Sequence, residues 1–192
     1  MALNSSTLTW DEIERLKSAE QKRLFRWQLQ AREPIHSFAD LRPGDHLVKK
    51  SSLMNISYEH HFLCIGFNNK DKPKILHYFN KAWYASMQFV PSSLGFVQEM
   101  ILPHKEFIKS EGELQTDGNE VERVVSPEEL RRYSVAEVVE RAVRRKGCKW
   151  YNCETFVMSC MCGLEISLQG SPLMKTTKQA AQQVLKVGVK FV

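Results

Sequence analysis

Trp150-Tyr151-Asn152-Cys153-Glu154-Thr155-Phe156-Val157 is the stretch around which the rest of the chain is read. It has the form of a helix start: Asn152 suits the N-cap, where its side-chain oxygen takes an otherwise unpaired backbone N–H. Phe156, Cys160 and Leu164 recur every four residues with Val157 and Met161 beside them, an apolar helical face that Gly163 can end. Cys153 then falls in the first turn, where the positive end of the helix favours a thiolate. Such a position pulls a thiol from ~8.5 towards roughly 3.5–7.5, the range of reactive cysteines. The plain alternative is a small buried hydrophobe, so other segments must decide.

With 192 residues the chain suits one domain with short extensions, and 43% hydrophobic residues can fill a core. No apolar run has the length of a bilayer-spanning helix, and Met1 to Ser6 has no basic segment before an apolar block, so no secretory signal is expected. Five cysteines, an odd count, fit free thiols in a reducing compartment. Part of the net charge of +5 gathers at Arg131, Arg132, Arg141, Arg144, Arg145, Lys146 and Lys149. The cluster suits an anionic surface such as a phospholipid one, but the solvated side of a helix is the favoured account of it, and no nucleic-acid partner is expected.

In chain order, residues 9–31 read as one basic helix, capped by Thr9 and Glu12, with Ile13, Leu16, Leu24 and Trp27 as its apolar stripe and Pro34 as its limit. It is expected to dock on its own domain. Leu41-Arg42-Pro43-Gly44-Asp45 is a turn. Strands are expected at His46–Val48, Tyr58–Gly66, Lys74–Phe79, Trp83–Val90, Phe96–Leu102 and Val121–Val125, with a hairpin loop over Asn68–Pro73 and an exposed acidic loop over Ser110–Glu120. After residue 125 the period lengthens to about 3.6. Ser126 to Glu129 caps a short helix. Ser134 and Glu137 cap another that turns Val135, Val138, Val139, Ala142 and Val143 inward and ends at Gly147. Residues 172–191 are weakly amphipathic. Strands followed by helices predict an α+β fold, an antiparallel sheet packed against helices.

A thiol at a helix start needs a base. His60 and His77 lie on consecutive strands joined by a hairpin, so pairing would bring their imidazoles together beside a nucleophile, the general logic of a catalytic triad. Histidines in strands are more often structural, and spacing alone leaves both readings open. Because side chains alternate along a strand, His60 and His61 point to opposite faces and only one can serve.

Tyr58-Glu59-His60 with Gly66 six residues after the histidine, then Ile75-Leu76-His77, then Asn152-Cys153-Glu154-Thr155-Phe156-Val157, together resemble the lecithin:retinol acyltransferase family, and within it the HRAS-like suppressor phospholipase A/acyltransferases. Pro43-Gly44-Asp45 is similar to the family's opening turn, and Ser134 to Arg141 to the helix before its cysteine motif; the likeness spans about residues 38–165. The resemblance implies a circularly permuted NlpC/papain-like fold. It implies a thiol-dependent phospholipase A1/A2 and acyltransferase on glycerophospholipids: Cys153 forms the acyl thioester, His60 is base then acid, and His77 orients it. Tyr58 and Asn152 would support the motif and its oxyanion site. No cofactor and no metal are implied. The spacing to Gly66 favours His60 over His61 as the base.

Two departures stand out: the family usually has histidine where Thr155 stands, and an aromatic where His61 stands. The organisation expected is a helical extension (1–37), an LRAT-like catalytic domain (38–168) and an amphipathic tail (169–192) that at most lies on a membrane surface. The implied location is the cytoplasm, with peripheral contact with intracellular membranes. Rival readings are a metal site at Cys148, Cys153, Cys160 and Cys162, whose spacings lack a CxxC pair; a cysteine peptidase; and an inactive LRAT-like lipid-binding scaffold.

Overall fold

The computed structural model describes residues 8–26, 31–53, 56–79, 95–102, 108–110, 113–114, 121–150 and 152–168. Two short helices, α1 (Trp10–Arg15) and α2 (Ser18–Leu24), precede the first strand, β1 (Arg32–Pro34). Then come β2 (His46–Leu53), β3 (Ile56–Phe67), β4 (Pro73–Phe79) and β5 (Gly95–Ile101). A small ribbon, β6 (Ile108–Ser110) and β7 (Glu113–Leu114), separates these from β8 (Val121–Val124). The last elements are α3 (Val135–Arg144), β9 (Lys149–Trp150) and α4 (Cys153–Met161). The chain is α+β, as expected, with a seven-stranded antiparallel sheet in the order β1-β8-β2-β3-β4-β5-β9.

β3 is the centre, and its composition says why. Phe62 to Ile65 is apolar without alternation because the strand is covered on both faces. Phe62 and Cys64 join Leu47, Ile75 and Val121 in one core cluster. Leu63 and Ile65 join Leu76, Val97, Val138, Phe156 and Val157 in the other, so α3 and α4 lie on this second face. The turn before β2 fits against β3: Gly44 donates to the Cys64 carbonyl at 2.8 Å and Cys64 donates to that of Asp45 at 2.9 Å. Gly44 has φ +88°, and a Cβ there would lie 3.1 Å from Val135, so glycine serves both the turn and the approach of α3. In the β3–β4 hairpin, Asn68 Oδ1 accepts from Lys70 and Lys72 N–H, the turn chemistry its sequence suggests.

Several expectations need correction. The helix expected over 9–31 is broken within residues 10–24 into α1 and α2, and Trp27 of its expected stripe lies outside the described residues. Leu16 and Lys17 are extended, Glu20 caps the second helix at Lys17 N–H, and Gln21 donates across the break to the Ile13 carbonyl. The break lets Ile13 and Phe25 both enter a third cluster with Leu130, Met158, Cys162 and Leu164, and the burial gained outweighs continued helix. This pair of helices packs on the domain, as the sequence anticipates. β1 and β9 are additional strands, too short to carry a period. In α3 the Ser134–Glu137 capping box forms and Gly147 follows with φ +79°, but Val135 and Val143 are 54% and 47% exposed; the face that enters the core is the Val138–Ala142 line with Val139 beside it. Around Ser126 the helix is a 3-10 turn, Glu128–Leu130. Glu113–Leu114, expected in a loop, pairs with β6. The strand expected at Trp83–Val90, and the tail 169–192, lie outside the described residues.

Candidate active site

Asn152 caps α4 as its sequence suggests, Oδ1 accepting from the N–H groups of Glu154 at 2.8 Å and Thr155 at 3.1 Å. Thr155 completes the turn: its hydroxyl donates to the Asn152 carbonyl and accepts from the Trp150 indole N–H. Glu154 is buried and accepts from Ser167 Oγ at 2.6 Å and Leu168 N–H at 2.8 Å, tying the segment after α4 back to its start. At the other end Gly163 has φ +81°, and Arg141 donates to the carbonyls of Ser159 and Cys160. α4 is thereby held at both ends.

Cys153, half-buried, points at β3, its thiol donating to the Glu59 carbonyl at 3.9 Å with the His61 backbone N–H also against the sulfur. This sets the sulfur on the backbone of the strand segment that carries His60. The β3–β4 register opposes Phe62 to His77, which puts His60, Phe62 and His77 on one face. There His60 Nε2 and His77 Nδ1 are 3.0 Å apart, with Phe62 edge-on to the His60 ring. The two sequence-predicted histidines are thus brought together. No hydrogen bond joins either to the Cys153 sulfur among the described residues. Tyr58 lies in β3 opposite Ser51; its side chain is outside the described residues.

The electrostatics oppose the simple expectation for a helix-start thiol. Burial pushes Cys153 up to about 11, the neighbouring Glu154 charge adds to this, and backbone N–H contacts recover only part. His60 is pushed down to about 3, first by burial, then by the charges of His77 and Lys49. The resting pair is therefore neutral thiol and neutral imidazole.

His61, on the opposite face with Leu63, meets His46 instead: Nε2 of His46 is 2.7 Å from Nδ1 of His61, and both rings are almost fully buried. Nearby, Arg32 of β1 makes a two-pronged contact with Glu59 and a further one with Glu122. The strand that offers its carbonyl to the thiol is held through its own carboxylate. Sequence reasoning missed this support because Arg32, Glu59 and Glu122 are far apart along the chain and β1 has no periodic signature. His46 was visible only as one histidine among six.

The basic cluster is largely consumed internally. Arg141 stacks over Tyr133, Arg145 donates to the Arg141 carbonyl and faces Trp150, Arg132 pairs with Glu14, and Lys146 pairs with Glu99. The four cysteines of the metal rival are dispersed: Cys148 is exposed, Cys160 belongs to one core cluster and Cys162 to another. No helix among the described residues is long and apolar enough to cross a membrane. Compared with protein-family models, curated proteins and solved structures, the chain finds no match.

Proposed function

We propose that the protein is a thiol-dependent phospholipase A1/A2 and acyltransferase of the lecithin:retinol acyltransferase type, built on a circularly permuted NlpC/papain-like arrangement and working at the cytoplasmic surface of membranes. The observation that carries this is the thiol at the first residue of α4 resting on the β3 backbone at Glu59, next in sequence to His60, whose ring meets that of His77 at 3.0 Å on the other face of the strand. In the proposed reaction Cys153 gives its proton to His60, held in orientation by His77, and sulfur attacks the ester carbonyl of a glycerophospholipid. The tetrahedral oxyanion is met by the Cys153 N–H at the start of α4, the N–H groups of Glu154 and Thr155 being taken by Asn152. Collapse expels the lysolipid oxygen, which takes the proton from His60, and leaves an acyl thioester. Water as acceptor then completes hydrolysis; an amine or hydroxyl of a second lipid completes transfer. Tyr58 and Asn152 are the supporting motif positions, Asn152 through its cap.

A second reading, an inactive lipid-binding scaffold on the same frame, draws on the high proton affinity of the buried thiol and on the absence of a described sulfur–imidazole hydrogen bond. Incubation with labelled phosphatidylcholine separates the two. Turnover predicts free fatty acid, an acyl adduct on Cys153 detected by mass, and loss of both in Cys153→Ala with the fold retained. Binding to vesicles without product or adduct selects the scaffold. Full activity in Cys153→Ala would refute the thiol mechanism.

A further inference from the structure

Adjacent histidines on β3 each find a histidine partner, one on either face of the sheet. The pair on the helix face, His46 and His61, has no part in the reaction proposed above. It is 1% and 2% exposed and its bridging nitrogens are 2.7 Å apart. His46 stands at the first residue of β2, directly after the turn that Gly44 and Asp45 pin to β3. Its ring is therefore anchored independently of the strand segment it meets. His61 belongs to the three residues, 59 to 61, whose backbone surrounds the Cys153 sulfur. Among the described residues the other nitrogen of His46, Nδ1, is buried without a hydrogen-bond partner, and His46 lines a small cavity together with Phe25, Ser126, Leu130, Met158, Met161 and Cys162. An unpaired imidazole nitrogen in such a place carries a desolvation cost, which a single water in the cavity relieves.

We propose that His46 is a positioning residue for Cys153: one ring nitrogen pins His61, and with it the β3 backbone against the sulfur, while the other binds a buried water. In the neutral pair one proton lies between the rings, so each imidazole keeps a defined tautomer. The pin holds the His61 N–H where it stabilises negative charge on sulfur. This rests on the reading of Cys153 as the reacting thiol, but its readout needs no lipid turnover.

The test is the alkylation rate of Cys153 by iodoacetamide at pH 8, followed by peptide mass and divided by that of exposed Cys148 in the same molecule. Gln places an amide nitrogen where Nε2 of histidine lies, and Asn where Nδ1 lies. His46→Gln is expected to keep the wild-type ratio. His46→Asn and His46→Leu are expected to lower it about tenfold, the thiolate fraction lost when a thiol rises by about one pKa unit. A role in packing alone would loosen the site, admit water and raise the ratio; a raised or unchanged ratio in Asn and Leu overturns the proposal. In the unsubstituted protein, 15N-labelled at histidine, a through-bond coupling between His46 Nε2 and His61 Nδ1 is expected, and its absence also overturns the proposal should a variant fail to fold. Absence of phospholipase activity in the unsubstituted protein, with the ratios as expected, would sink the proposed function and leave this inference standing.

Discussion

At Cys153 the positive end of α4 and the cost of burial pull the thiol in opposite directions, and burial prevails, leaving it at about 11. Iodoacetamide at pH 8 is accordingly expected to label exposed Cys148 well before Cys153, as peptide mapping will read. Asn152, which satisfies two N–H groups at the head of the same helix, is worth about 1 kcal/mol. Asn152→Ala should lower the unfolding free energy by that amount, measured in urea. The cap, the stop at Gly163 and the pairing of His60 with His77 were legible because each follows from local chemistry or from a hairpin of short reach. The sign of the thiol shift was not, because desolvation depends on what covers a residue. The partner of His61 was equally hidden, lying fifteen positions away across a turn.

Elements meet here through a few groups that no periodicity announces. Arg141, read from sequence as part of a solvated basic face, donates to the last carbonyls of α4 and stacks 4.1 Å from the Tyr133 ring centre. Arg141→Ala is expected to cost about 1–3 kcal/mol, whereas Arg144→Ala, which removes only an exposed pair with Glu140, should change stability little. Urea unfolding of the two variants side by side checks the contrast. The N-terminal helices depend on burial: Phe25 is almost wholly covered, within a cluster that includes Leu130, Met158 and Cys162. Phe25→Ala should therefore lose about 3–5 kcal/mol, and amide exchange should speed first in α1 and α2. That these residues form two helices was illegible, because the break is chosen by two side chains entering one core and not by a helix-breaking residue.

For the whole molecule the buried titratable groups set a pH window. His46 and His60 are held at about 3 and His61 well below its ordinary value, each mainly by burial. Below about pH 6.5 the unfolded chain takes up protons that the native state refuses, so stability is complete above that pH and is lost as pH falls towards 3. For fully buried His46 and His61 the limiting slope is about 1.4 kcal/mol per pH unit each. Cys64, Cys153, Cys160 and Cys162 are raised to about 11 by burial. Above about pH 9 the unfolded chain releases protons the native state retains, and stability falls again as pH rises towards 11. Urea midpoints should form a plateau between these limits; a protein as stable at pH 5 as at pH 7.5 would contradict the burial of the histidines. The chain alone determined the α+β class, most strands of the sheet, the caps of α3 and α4 and the meeting of His60 with His77, since these rest on alternation, helical spacing and short connections. Only the tertiary structure decided that the thiol rests on strand backbone, that Arg32 anchors Glu59 and that His46 meets His61. Those contacts join segments remote in sequence, and burial and register, properties of the assembled sheet and helices, settle which groups meet and which stay uncharged.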